Sequence, residues 1–233
     1  MRVLAVGAHP DDIEFLCAGT LAKFKEKGAE IFMSYLCDGS MGHFEIPGPE
    51  LARIRKKEAE DSAKILGAEI QGGMFPDLDI YPDKEARKKI VDLIRVARPD
   101  LVITHSPEDY MCDHTTTSKL VIDASFIATL PNYKTEHEPH TLIPPIFFMD
   151  TLAGVNFLPT EYVDISDFIK IKEKMLLCHQ SQCKWLKEHD GVDYVDFMRT
   201  VASFRGLQCG VPYAEGFRPY SAWGRIKAKR LLP

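Results

Sequence analysis

The 233-residue sequence has no C-x-x-C pair, no apolar run long enough to cross a bilayer, and no basic stripe with aromatics set between its members. Each absence excludes something. Six cysteines without regular spacing (Cys17, Cys37, Cys112, Cys178, Cys183, Cys209) point to free thiols in a reducing compartment. The apolar stretch Leu120 to Leu130 is broken by Asp123. The first apolar segment is already strand-like, so no signal peptide is expected and the expected location is the cytoplasm. A net charge of -5, with both signs interspersed, argues against a nucleic-acid surface. The first strand-to-helix turn also lacks the glycines of a dinucleotide site. Counting from Gly7, the second and third glycines of G-x-G-x-x-G are replaced by His9 and Asp12, with Asp11 between them. Carboxylates repel a pyrophosphate, so a nicotinamide cofactor is disfavoured and a cation is favoured.

What is present is an ordinary globular composition, 45% hydrophobic and 27% charged, on a chain long enough for one large α/β domain. Strand candidates at Val3–Val6, Ile31–Cys37, Leu101–Thr104 and Ile146–Asp150 alternate with helical patterns. A weaker strand spans Ile70 to Phe75, where Gly72-Gly73 counts against it. Pro49 suits the first turn of a helix ending near Leu66, and Asp83 caps one running to Ala97. A further helix starts near Thr115. Ser166 is expected to cap one through Cys178, and 182–208 reads as largely helical. The tail from Gly210 reads as loop. The alternation predicts a mostly parallel sheet with helices on both faces, a Rossmann-like three-layer α/β sandwich formed by a single domain over 1–233. In such a sheet, ligands bind beyond the carboxyl ends of the strands.

Two of those ends concentrate chemistry. The first bears His9, Asp11 and Asp12. The second bears His105, Glu108, Asp109, Cys112, Asp113 and His114. Adjacent strands lie about 5 Å apart, so side chains from the two loops can meet. Two imidazoles and a carboxylate form a common catalytic zinc set with a position left for water.

The run Ala8-His9-Pro10-Asp11-Asp12-Ile13-Glu14 resembles the first motif, A-H-P-D-D-E, of the LmbE-like, PIG-L-type zinc-dependent N-deacetylases, with one residue displacing the glutamate. Pro107-Glu108-Asp109-Tyr110-Met111-Cys112-Asp113-His114 resembles their second, P-x-D-x-H-x-D-H. Weaker likenesses are Arg55 with Glu58, Asp38-Gly39, His179-Gln180-Ser181-Gln182 and Ala214-Glu215-Gly216-Phe217-Arg218. The resemblance implies metal ligation by His9, Asp12 and His114, and attack by a metal-held water with Asp11 as general base. It also implies Arg55 at the substrate pocket, with Asp38 and Asp109 as further substrate-binding candidates. The implied reaction is hydrolysis of an N-acetyl group on an amino sugar or related glycoside. Zn2+ is the implied metal, and Fe2+ fits the same ligand types. Members of the family often form homo-oligomers, which is the expectation here.

Met111 departs from the family pattern, which has a histidine three residues before the last ligand. Methionine has no proton to give an oxyanion. Two readings therefore stand. One is an active deacetylase in which another histidine, such as His105 or His43, takes that part. The other is a sugar- or metal-binding module with little turnover. Some residues also have structural alternatives: Asp113 as the group that holds the His114 ring, Arg55 paired with Glu58 along its helix, and Asp38 closing a turn with Gly39. His137, His140 and His189 are expected in solvent.

Overall fold

The computed structural model describes residues 1–223 and Arg225. β1 (Arg2–Gly7) lies between β2 (Glu30–Cys37) and β4 (Leu101–Thr104), parallel to both. β3 (Glu69–Phe75) adds outside β2, and β5 (Ile146–Met149) outside β4, again parallel. β7 (Ala214–Pro219) then runs antiparallel to β5, and β6 (Glu161–Asp164) antiparallel to β7. The order is β3-β2-β1-β4-β5-β7-β6. The chain moves outward from β1 in one direction through β2 and β3, then returns to its other side with β4. That reversal leaves a crevice at the carboxyl ends of β1 and β4.

The alternation of side chains along β1 divides the core. Val3 and Ala5 face one apolar cluster, and Leu4 and Val6 the other, all fully buried. The first cluster is covered by α1 (Asp12–Leu16), α2 (Ala18–Glu26), α3 (Gly48–Leu66), α6 (Ile169–Leu176) and α8 (Tyr194–Cys209). The second is covered by α4 (Lys84–Ala97) and α5 (Cys112–Ile127). α7 (Gln180–His189) leans on α3 and α8.

Most elements fall where the residue pattern predicts them, including the Asp83 cap, whose carboxylate accepts from the Ala86 N–H. Three differ. α5 begins at Cys112, three residues early, because its first turn is Cys112-Asp113-His114, polar residues that an apolar periodicity cannot register. Ser166 does not cap α6. Its hydroxyl is turned to Asp164 at 2.6 Å and a 3-10 turn precedes the helix. Part of the tail is not loop but β7, a strand with a buried glutamate in it. Gly72, which weakens the strand pattern of β3, answers a close approach: a Cβ there would lie 2.6 Å from the Tyr35 carbonyl oxygen of β2.

Candidate active site

The turn after β1 is tightly built. The Asp12 carboxylate accepts from the His9 N–H at 2.6 Å, and the Ala8 carbonyl accepts from the Cys37 N–H at 2.8 Å. Asp11, with no glycine's freedom, holds φ +118 in the left-handed region. Such a conformation is costly for a side chain with a Cβ and persists only where the surroundings impose it. The turn thereby aims two successive carboxylates differently, Asp12 into the crevice between the strands and Asp11 beside it.

The loop after β4 meets this turn. His114 Nε2 lies 3.3 Å from Asp12 Oδ1, and His9 Nδ1 lies 3.5 Å from Asp12 Oδ2. Donor atoms of His9, Asp12 and His114 all fall within 4.8 Å of one another. The outer nitrogens of both imidazoles are held by carboxylates. Asp109 takes His114 Nδ1 at 2.9 Å and Asp113 takes His9 Nε2 at 3.0 Å. The sequence offered Asp113 as the partner of His114; it serves His9 instead, while also accepting from the Leu78 N–H at 2.9 Å. Asp109 has Oδ2 on His114 and Oδ1 on the Met111 N–H, so both its oxygens are engaged by protein.

These charges govern one another. Burial opposes ionisation of Asp12, but His114 and His105 outweigh it and hold its carboxyl well below the ordinary range. Burial also works against His114, yet Asp12 and Asp109 raise it to about 9. His9 is likewise raised, against its burial, by Asp113 and Asp12. A pocket that pulls protons onto two imidazoles is a pocket that attracts cations. His114 Nε2 is buried without a hydrogen-bond partner, which leaves its inner nitrogen available as a ligand. The residues present therefore fit a divalent metal, with the carboxylates behind the imidazoles fixing their orientation. Asp11 behaves oppositely to Asp12. Burial and the neighbouring Asp12 charge push it up to about 7.

His105 is fully buried and stacks on His114 with ring centroids 3.8 Å apart. Its Nε2 accepts from the Ala8 N–H at 2.9 Å, and burial holds its pKa down to about 4. It supports the ligand from beneath. His43 is on the surface loop after β2. The histidine brought close to Asp11 is His179, 1% exposed, whose charge is felt at the Asp11 carboxyl and whose Nε2 lies 3.2 Å from Glu14 Oε1.

Arg55 is buried in α3. It does not pair with Glu58, which binds the Ser181 N–H and hydroxyl, each at 2.7 Å. Its Nη2 donates to the Gly42 carbonyl and to Gln182 Oε1, its Nε has no partner, and its charge reaches Asp11. Asp38 is half-buried and accepts from the Ser40 N–H at 3.0 Å. Beside it a cavity of about 370 Å3 opens between α3 and β3, reaching the site's rim at Pro10 and Asp38. His140 is not in solvent as expected; it is 6% exposed, with Nε2 on the Pro99 carbonyl.

Two residues at the site escape the sequence. Asp77 accepts from the Gly39 and Met41 N–H groups at 2.7 and 3.0 Å and so fixes the loop after β2. Its one signal is its position just past a strand's carboxyl end. Tyr194, buried at the start of α8, has its hydroxyl pushed up by burial and by the charge of Asp11. An aromatic residue at a helix start reads as core, and Tyr194 does stack on Phe15 at 5.2 Å.

A family model described as "PIG-L: GlcNAc-PI de-N-acetylase" matches residues 4–125. The diacetylchitobiose deacetylase of Thermococcus kodakarensis is 33% identical over 228 residues, covering 93% of this chain and 82% of that protein. The N,N'-diacetylchitobiose deacetylase of Pyrococcus horikoshii, solved with an inhibitor, superposes with a TM-score of 0.80 at 31% identity, covering 94% and 83% of the two chains. GalB, the 4-carboxy-2-hydroxymuconate hydratase of Pseudomonas putida, superposes at 0.83 with 24% identity, covering 98% and 99%, a likeness of fold. Among the described residues, no helix is long and apolar enough to cross a membrane.

Proposed function

The chain belongs to the PIG-L family, and on that premise we propose that it is a metal-dependent hydrolase removing the N-acetyl group of an amino sugar or related glycoside. One observation supports this above the others. A three-donor cluster, His9, Asp12 and His114, converges beside a buried carboxylate, Asp11, that takes no part in it. A divalent cation held by those three would polarise the amide carbonyl and bring the pKa of water toward neutrality. Zinc suits two imidazoles and a carboxylate, and ferrous iron suits the same set.

The chain's own groups do the rest. Asp11 takes a proton from the attacking water as oxygen bonds to the carbonyl carbon. It returns that proton to the amide nitrogen as the C–N bond breaks, releasing acetate and the free amine. Arg55 contributes positive charge beside Asp11 and an unengaged Nε for a substrate oxygen. Asp38, at the rim, and Asp109, behind His114, complete the substrate side, Asp109 acting through the ligand it orients. Met111 supplies no proton to the developing oxyanion. His179 is the histidine this geometry offers instead, buried, with Nε2 facing Glu14 and Nδ1 without a hydrogen-bond partner.

Free-amine release from a panel of N-acetylglucosamine derivatives tests the reading, with Asp11→Ala as control. Turnover that this change abolishes while the cation is retained is the expected result. The second reading, a binding module, is favoured by Met111. It predicts a bound cation and no amine from any member of the panel.

A further inference from the structure

The reaction above leaves one feature unused. The loop between β2 and α3 meets the outer half of α7 in an aromatic cluster. Trp185 and His189, one helical turn apart, are stacked at 4.3 Å. Phe44 stands edge-on to both, at 4.6 and 4.9 Å, and His43 lies 5.0 Å from Trp185. Phe44 is 77% exposed and Met41 62%.

The cluster is anchored rather than loose. Asp77 fixes the backbone at Gly39 and Met41, and His43 Nδ1 accepts from the Glu45 and Ile46 N–H groups. Arg55 joins the two halves, since its Nη2 serves Gly42 on the loop and Gln182 on α7. The start of α7 is tied to the helix that follows the first turn, since His179 Nε2 lies 3.2 Å from Glu14 Oε1 on α1. α7 begins just after His179, and Trp185 follows six residues on, about 9 Å along the helix axis. The cluster thus stands beyond Arg55 and His179, farther out along the same lip.

We propose that Phe44, Trp185 and His189 form a stacking platform for a second sugar ring, bonded to the one that carries the acetamido group. This rests on the deacetylase reading and adds a determinant of substrate size to it. The electron-rich face of an aromatic ring attracts the weakly positive C–H face of a pyranose. The surroundings suit a small hydroxylated ligand better than a protein. The rim carries Glu45, Lys184, Glu188 and Asp190, all exposed, which can bond sugar hydroxyls at the edge of a narrow apolar face.

The test uses two sugars and two readouts. Trp223, fully exposed, is replaced by Phe so that Trp185 alone reports, and Asp11→Ala prevents turnover during titration. Fluorescence titration of this protein should show N,N'-diacetylchitobiose binding about three- to tenfold more tightly than N-acetylglucosamine. Adding Phe44→Ala, a change at an exposed position, should remove that preference. Equal affinities, no binding of either sugar, or a preference that survives Phe44→Ala overturns the platform. Amine release by the unmodified protein reports separately on the reaction. A preference for the disaccharide without amine release keeps the platform and sinks the deacetylase reading. Amine release from both sugars without a binding preference does the reverse.

Discussion

Two regions of this protein bury charge, and they do so in opposite ways. Behind β7, Lys172 bonds Glu215 at 2.5 Å and the Phe15 carbonyl at 2.7 Å. The other needs of Glu215 are met by the Gly19 and Thr20 N–H groups at the start of α2. Nearby, Arg205 grips Asp150 through two nitrogens, at 2.6 and 3.0 Å. Each charge there faces its opposite at hydrogen-bonding distance. At the carboxyl ends of β1 and β4 the pairing is incomplete: Arg55 Nε and His179 Nδ1 are buried without partners, and His114 Nε2 approaches Asp12 at 3.3 Å without a hydrogen bond. A saturated network fixes helices to strands. An unsaturated one at the same depth keeps groups ready for something that is not protein.

Removing groups from the two regions should therefore do different damage. Asp11→Ala should lower amine release by about 10²–10⁴-fold while the melting temperature of the cation-loaded protein barely moves. A fall in activity that tracks unfolding would erase the contrast. Lys172→Met should do the opposite. It leaves Glu215 buried without its counter-ion, and denaturant titration should show a loss of about 3–5 kcal/mol, with kcat kept in whatever fraction stays folded. Between these lies the cation itself. At 100 times its dissociation constant it should add about 2.7 kcal/mol, read as a rise in melting temperature that a chelator reverses and His114→Ala prevents. A melting temperature indifferent to zinc and chelator alike would leave the site without a metal.

The smallest effect belongs to a surface counterpart of both regions. Burial opposes ionisation of Asp92, but the Thr135 hydroxyl and the N–H groups of Glu136 and His137 outweigh it and depress its pKa. A depressed carboxyl adds stability that is present above its unfolded pKa, near 4, and lost as pH falls through the folded value. Asp92→Asn should remove under about 1 kcal/mol at neutral pH and less at pH 2, measured by urea titration at both.

The site was legible to different depths. His9, Asp11 and Asp12 lie on one turn, so their spacing alone announced them. His114 was legible because its loop follows a strand next to the first. The partners behind the ligands were not. Whether Asp109 or Asp113 serves His114 depends on how the first turn of α5 is wound, and that turn begins three residues before the apolar pattern does. His105 offered itself from sequence as a substitute for the missing histidine, yet its position at the end of β4 puts it under His114. His179 and Tyr194 come to the first turn only because the start of α7 meets Glu14 and α8 packs on Phe15, both on α1, contacts no local pattern encodes.

The sequence by itself determined the mostly parallel sheet, the two chemical loops and the paired carboxylates of the first turn. Hydrophobic period, turn chemistry and the charges of neighbouring residues act over a few positions, so they can be read from a few positions. Tertiary structure alone decided that Ala214–Pro219 is a strand, since its glutamate and glycine are tolerated only where α2 and Pro159 receive them. It decided equally that an aromatic loop tip and an outer helix should meet beside Arg55. Burial and pairing of distant groups set those outcomes, and both become defined only once the chain has closed on itself.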